Sequence, residues 1–159
     1  MATNGNVIHS KGSRLFVVDV EGGEVFKVNG VNSIATAESP KAVTSYQDLE
    51  AGIVSYVQGV IEPGTTSFTL NYNPVDETHQ RVYQLQKSGK NVSFVVAMSD
   101  GAGAPTVTDG ELALDPASSY RVHDGFVTGF PLGFESGTIS TVAVAVQITS
   151  EVDLVPRAV

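Results

Sequence analysis

A chain of 159 residues with a 42% hydrophobic fraction has the length of one domain and enough apolar side chains for a core. Nine Lys and Arg against 17 Asp and Glu give a net charge of −8, which argues against a protein that grips nucleic acid phosphates. The absence of cysteine excludes disulfides, thiol catalysis and cysteine-based zinc sites, and the sequence predicts neither a signal peptide nor a membrane-spanning run.

The first part of the chain predicts short strands separated by turns. Residues 1–12 are polar and contain glycine, so we expect an N-terminal arm there rather than a piece of the core. Apolar stretches bounded by Gly, Asn or Pro predict the strands that follow. These strands cover residues 13–20, 25–28, 31–35, 41–46 and 57–62.

The connection 47–56 is unlike an ordinary hairpin loop, which is short and polar. Its apolar residues, which accompany Asp48, are Leu49, Ile53, Val54 and Tyr56. One interpretation is a short helical turn packed on its own domain. The other is an arm whose apolar side chains contact another subunit, since exposed apolar groups favour a partner surface.

Residues 66–98 predict a strand, a helix and a second strand. Apolar and polar residues alternate over 66–72, and 92–98 is a second apolar strand. Between them, Asn73 is the predicted N-cap of the helix and Gly89 is the residue that ends it. The apolar stripe of this helix contains Val75, His79, Val82 and Leu85. Because a helix with one apolar stripe must be covered by a sheet, we predict a mainly β domain with one flanking α-helix.

The remaining sequence predicts a loop and two long strands. The glycine-rich loop 99–111 contains aspartates, but their spacing does not match an EF-hand, so we predict no calcium site. A strand over 119–135 is expected to contain a bulge at 123–125. The strand over 138–149 has the clearest alternation in the chain, and residues 150–159 are expected to form a frayed tail.

The strand over 138–149 has two contrasting faces. Its apolar face, which we assign to the core, consists of Val142, Val144, Val146 and Ile148. Its other face is small and uncharged and consists of Thr141, Ala143, Ala145, Gln147 and Thr149. The predicted core of the domain further contains Phe68, Leu70, Val82, Leu85, Phe94 and Phe130.

The sequence predicts no catalytic, cofactor or metal site. His9, His79 and His123 are scattered, and none has a second histidine at metal-ligand spacing. His123 and Asp124 lack the G-x-S-x-G elbow that would supply a nucleophile. We therefore predict that the chain is not an enzyme, and we interpret His79 as a histidine at the edge of the core.

The order of these elements resembles the major tail tube proteins of long-tailed bacteriophages. The similar segments are Pro63-Gly64 followed by the strand 66–72, the Asn73-Pro74 helix start, and His79-Gln80 within the helix. A second similar segment is Gly125-Phe126-Val127-Thr128-Gly129-Phe130 before the strand over 138–149. The resemblance extends over residues 13–150. It departs from the family in the longer loop 99–111 and in lacking the immunoglobulin-like domain that some members append.

This resemblance implies a β-sandwich or split barrel with one helix at its side, as a single domain over residues 1–159. It implies a structural virion protein whose copies form hexameric rings that stack into the tail tube, the conduit for DNA ejection. The implied partners are further copies of itself and the tail tip, tape measure and tail terminator proteins, with DNA passing through unbound and no membrane involved. Assembly is expected in the host cytoplasm, and no cofactor is implied.

Within that family, a hairpin loop at the position of residues 47–56 reaches the adjacent ring. The resemblance therefore implies that this connection is an arm whose apolar side chains contact another subunit. The face that begins at Thr141 and ends at Thr149 becomes a candidate lumen surface. The alternatives are a tube protein of a bacteriocin or type VI secretion system, and a ligand-binding β-sandwich of the carbohydrate-binding or adhesin type. A sugar binder usually presents exposed aromatic platforms, and this chain has no Trp.

Overall fold

The computed structural model describes residue 8 and the ranges 10–35, 37–50 and 52–158. The predicted arm 1–12 therefore lies mostly outside the described residues. The described residues contain one helix, α1, which spans Glu77–Ser88. The strands are β1 Arg14–Asp19, β2 Glu24–Lys27, β3 Val31–Ile34, β4 Lys41–Gln47, β5 Val54–Ile61, β6 Thr65–Asn71, β7 Val92–Ala97, β8 Pro105–Thr108, β9 Glu111–Leu114, β10 Tyr120–Gly129, β11 Thr141–Ile148 and β12 Asp153–Val155. The prediction of a mainly β fold with a helix at its side is confirmed.

The main sheet is antiparallel and follows the order β2-β1-β7-β10-β11-β6-β3, with β12 beside β10. Its two edge strands, β2 and β3, are joined by only the three residues 28–30. A link of this length cannot span a flat sheet of seven strands that lie about 4.8 Å apart, so the sheet must roll. The rings of Phe68 in β6 and Phe94 in β7 accordingly lie 6.2 Å apart across the interior, although two strands separate β6 from β7. The result is a split barrel.

The interior of the barrel is the main core. Alternate residues of β1, β6, β7, β10 and β11 point into it, and Val82 of α1 packs among them with no exposed surface. Phe68, Leu70 and Phe94 are also at most 3% exposed. Leu85 and Phe130 are half-buried and pack against the rim of the same cluster.

His79 ties the start of α1 to the link between the two sheet edges. Its Nδ1 accepts from the Asn73 backbone N–H at 3.0 Å, and its Nε2 lies 2.6 Å from the Asn29 carbonyl oxygen. Because Nδ1 accepts, Nε2 must carry the proton and donate to Asn29. His79 is only 1% exposed, so it is a buried hydrogen-bonding residue rather than one at the edge of the core.

The predicted N-cap was wrong by three residues. Asp76 is the N-cap, and its Oδ1 accepts from the Thr78 N–H at 2.8 Å and from the Thr78 hydroxyl at 2.6 Å. Asn73 instead accepts from the Val75 N–H at 3.0 Å, which forms a separate turn before the helix. Val75 therefore lies outside the helix and is 89% exposed rather than on its apolar stripe. The predicted helix end is confirmed, because Gly89 adopts φ +66°.

The loop prediction for 99–111 was also wrong, since β8 and β9 form a hairpin there. Asp109 and Gly110 both have positive φ, 52° and 76°, which is the two-residue turn that joins twisted strands. The hairpin covers the outer face of β1, β7 and β10. The second core under it contains Phe16, Val18, Val95, Ala97 and Tyr120.

Two further expectations about the second half needed correction. The strand irregularity falls between Val127 and Gly129, whereas residues 123–125 pair regularly with β7. Gly125 is needed there for space, since a Cβ would lie 2.4 Å from the Gln147 carbonyl oxygen. The described part of the tail, residues 150–158, is not frayed, because β12 pairs with the start of β10 and Arg157 donates to the Asp100 carbonyl at 2.8 Å.

Phe94→Ala should lower the free energy of unfolding by about 3–5 kcal/mol, because it empties the centre of the barrel. Phe134→Ala is the matched control: Phe134 is 80% exposed, so its change should stay within about 0.5 kcal/mol. Chemical denaturation of the free subunit measures both. Similar losses for the two variants would contradict the assignment of the core.

The stability of the subunit should fall as the pH drops from about 6.5 to about 4.5, because of His123. Burial and, to a smaller extent, the nearby Arg121 guanidinium together lower the pKa of His123 to about 4, against the opposing charge of Asp124. The unfolded chain, with a histidine pKa of about 6.5, then binds more protons than the folded one in this range, so acid favours unfolding. The full loss, which is reached below about pH 4, is about 3 kcal/mol. Denaturation at several pH values should show a weaker slope in His123→Phe; an unchanged slope would contradict this role.

Candidate assembly surfaces

The strands β4 and β5 form a two-stranded ribbon that stands free of the barrel. They pair only with each other and pack extensively on no other strand or helix of the described residues. Backbone hydrogen bonds fix the base of the ribbon: the Glu62 N–H donates to the Pro40 carbonyl at 2.8 Å, and the Ile148 N–H donates to the Gly64 carbonyl at 3.0 Å. The ribbon is therefore anchored beside the end of β11 and otherwise unsupported.

The tip of this ribbon is the predicted assembly loop. The strands extend into the predicted range 47–56, so the connection itself is only residues 48–53. Leu49 is fully exposed, Ile53 is 75% exposed and Tyr56 is 71% exposed. The alternative of a helical turn packed on its own domain is therefore wrong for the described part of the loop.

The strands of the ribbon carry apolar side chains on both faces. The pairs Ser45–Tyr56 and Gln47–Val54 put Tyr56 and Val54 on one face, together with Val43. Tyr46 and Val57 lie on the other face. All five side chains are more than 40% exposed. Covering one face would leave the other in water, so the ribbon fits between two surfaces rather than against one.

The predicted lumen stripe lies on the outer face of β11. Thr141, Ala143 and Thr149 are exposed, whereas Ala145 and Gln147 are half-buried. The Gln147 amide donates to the Gly64 carbonyl at 3.1 Å, which holds this side chain against the ribbon base. The outward residues of the neighbouring strand β6 are also uncharged: Thr65, Ser67, Thr69 and Asn71. Together the two strands form a small, polar and uncharged sheet face.

The charged side chains with perturbed pKa values have structural partners. Lys90 donates to Asp19 at 2.6 Å, which lowers the pKa of Asp19 and raises that of Lys90. A hydrogen bond from the Ser119 hydroxyl likewise lowers the pKa of Asp100. Among the described residues no group of three or more His, Asp or Glu is placed to hold a metal ion. In the same part of the chain, no helix is both long and apolar enough to cross a membrane.

The sequence predicts the exposed apolar residues at the tip of the ribbon, but it does not predict that apolar residues on the strands of the ribbon are exposed as well. Val43, Val57 and Val60 are 64%, 52% and 74% exposed, although their pattern is that of ordinary half-buried strands. The useful signal was the presence of apolar residues on both faces of two consecutive strands. A pair of strands covered on both faces within a domain needs layers above and below it, and the described part of the chain has only one helix to supply them.

A split barrel with a free ribbon that exposes apolar side chains on both faces is typical of a protein that assembles with other subunits. Residues 6–158 match the family described as phage tail tube, TTP, lambda-like. Structural protein 3 of Pseudomonas phage PAJU2 is 30% identical over 162 residues, which cover 99% of this chain and 98% of that protein. The chain belongs to this lambda-like family of phage tail tube proteins.

Two solved structures share its fold at low sequence identity. One is a chain of the six-fold symmetrised cryo-EM structure of the anti-feeding prophage (AFP) baseplate, with a TM-score of 0.68, 6% identity and full coverage of both chains. The other is the SPP1 tail tube, with a TM-score of 0.65, 8% identity and coverage of 94% of this chain and 80% of that one.

Family membership confirms the resemblance found in the sequence. The protein is a structural component of the virion tail, and as a tail tube protein it assembles with copies of itself. The family, rather than a carbohydrate-binding or adhesin module, accounts for its fold.

Proposed function

We propose that copies of this protein form hexameric rings that stack into the tail tube, and that DNA passes through this tube during ejection. The observation that carries the proposal is the free ribbon with apolar side chains on both faces, which has no partner surface within the described subunit. The likeness to a chain of a six-fold symmetrised baseplate supports six-fold rings. The likeness to the SPP1 tail tube supports stacking into a tube.

The rolled sheet suits a ring because its edges remain available. Among the described strands, none pairs with the outer edge of β2 or of β3. Open edges of this kind attract pairing with other chains. In a ring, edge pairing between neighbouring subunits would join their sheets into one wide barrel with an aqueous channel.

The uncharged outer face of β11 and β6 suits the wall of that channel. A conduit must let DNA slide, so it must avoid the clustered Lys and Arg that bind phosphates and release counterions. The candidate lumen residues on β11 and directly after it are Thr141, Ala143, Ala145, Gln147 and Thr149, and none of them is charged. The proposal assigns no enzymatic activity and no cofactor to the chain.

The ribbon tip supplies the contact between rings in this proposal. Its residues Asp48, Leu49, Ile53, Val54 and Tyr56 are exposed in the free subunit. Ordering them against a neighbouring ring costs conformational entropy, which apolar burial offsets. Such a cost keeps free subunits soluble until a preformed surface is available. The proposed partners that supply or terminate this surface are the tail tip, tape measure and tail terminator proteins, and assembly takes place in the host cytoplasm.

Replacing residues 48–55 by a short Gly-Ser turn should abolish tube formation in electron micrographs. The far-ultraviolet circular dichroism and the melting temperature should stay nearly unchanged, because the tip contributes nothing to either core. A full-length ribbon with Leu49→Ser and Ile53→Ser separates loop length from apolar contact, and it should also fail to form tubes. Normal polymerisation of both variants would contradict the inter-ring role.

Assembled tubes of the unmodified protein should not retain short duplex DNA at physiological salt in a filter-binding assay. Ala143→Arg places a positive charge on the candidate lumen face and should create retention that falls steeply as salt rises. Thr108→Arg is the matched control, since Thr108 is exposed on the separate hairpin β8–β9. Salt-sensitive retention by unmodified tubes would contradict a passive conduit, and equal retention by the two variants would contradict the lumen assignment.

A further inference from the structure

Three exposed apolar side chains lie at one end of the barrel. Val75, Phe134 and Ile139 are 89%, 80% and 72% exposed. Val75 follows β6, whereas the other two belong to the loop between β10 and β11. The two segments lie side by side, because the Tyr72 N–H donates to the Ser140 carbonyl at 2.9 Å. We call these three residues the end patch.

The ribbon leaves the barrel at the other end of the same strand. β11 begins beside the end patch at Thr141 and ends at Ile148, whose N–H donates to Gly64 at the ribbon base. Seven steps along an antiparallel strand span about 24 Å. Because the ribbon packs extensively on no other element of the described chain, it does not fold back over the barrel. The subunit therefore presents apolar surfaces at two opposite ends.

We propose that the ribbon tip of one subunit docks on the end patch of a second copy of this chain in the next ring. This inference rests on the proposed function and names the receiving surface for the ribbon. Two different surfaces at opposite ends make a head-to-tail contact, and such a contact repeats without limit when it does not close on itself. A self-complementary contact would stop at a dimer and would not build a tube.

Apolar burial, rather than charge pairing, drives this contact. Leu49 and Ile53 on the tip are aliphatic, and Phe134 on the patch is a large flat partner for them. The charged neighbours have the same sign: Asp48 is exposed beside the tip residues, and Glu135 is exposed beside Phe134. Like charges oppose the approach of free subunits and are screened by salt, so this contact should form more readily as salt rises.

Cysteine pairing tests the contact directly, because the natural chain contains no cysteine. A variant with Leu49→Cys and Phe134→Cys is assembled into tubes and then oxidised. Disulfides between successive rings should produce a ladder of covalent multimers in denaturing electrophoresis without reductant. The matched control carries Leu49→Cys and Leu154→Cys; Leu154 is 70% exposed but lies on β12, near the ribbon base. Oxidation of this control variant should produce no covalent multimers larger than dimers.

A ladder in the first variant and none in the control supports the docking. A ladder in the control alone, or no ladder in tubes of the first variant, overturns it. Hydrogen exchange on the unmodified protein provides an independent measurement should the cysteines impair assembly. Residues 131–139 should then exchange at least about tenfold more slowly in tubes than in free subunits, and equal exchange overturns the docking.

These outcomes distinguish a failure of the proposed docking contact from a failure of the proposed function. Tubes that form while the end patch remains unprotected contradict only the receiving surface, and leave the tail tube proposal intact. A concentrated protein that yields neither rings nor tubes contradicts the proposed function itself.

Discussion

The three-residue link between β2 and β3 constrains the whole structure. It joins the two edges of the main sheet and so forces the sheet to roll into a split barrel. His79 secures the link by donating to the Asn29 carbonyl at 2.6 Å while it accepts from the Asn73 N–H. Gly30 is needed in the link because it adopts φ +72°, and a Cβ there would lie 3.1 Å from the Asn71 carbonyl oxygen. The same few hydrogen bonds thereby position both the sheet edges and the start of α1.

Rolling the sheet gives its two faces different roles. The inner face becomes the core, in which Val142, Val144 and Val146 are at most 1% exposed. The outer face is covered by the β8–β9 hairpin over β1, β7 and β10, and stays open over β11. The open part has small, uncharged side chains, which suits the channel wall proposed for it. The fold thus separates a packed barrel from an unsupported ribbon, and the proposed contact between subunits lies on the ribbon.

The sequence predicted those parts of the fold that depend on local periodicity. The two faces of β11 and the end of α1 at Gly89 follow from side-chain alternation and from glycine chemistry. The N-cap could not be fixed in the same way, since Asn73 and Asp76 are both good caps and tertiary contacts selected Asp76. The β8–β9 hairpin was missed because its strands are short and glycines precede them. The tail is ordered because β12 pairs with the start of β10 at Tyr120. Pairing between residues so far apart in the sequence leaves no local pattern that could predict it.

The candidate assembly surfaces were predictable only in part. Leu49 and Ile53 were found because apolar residues are unusual in a connection between strands. The exposure of Val43 and Val57 was not found, since an alternating pattern describes a half-buried strand equally well. The exposure of Phe134 and Ile139 had no local signal either, because the two residues lie within the predicted strands 119–135 and 138–149. Only the three-dimensional arrangement shows that they lie at the end of the barrel opposite the ribbon.

The tube proposed for this protein is hollow, and its inner wall is the outer face of β11. Cryo-electron microscopy of the protein assembled at high concentration would resolve this wall. We expect stacked six-fold rings around an open channel, with Ala143 and Thr141 facing the channel. Solid filaments, closed dimers, or a channel lined by the β8–β9 hairpin would contradict it.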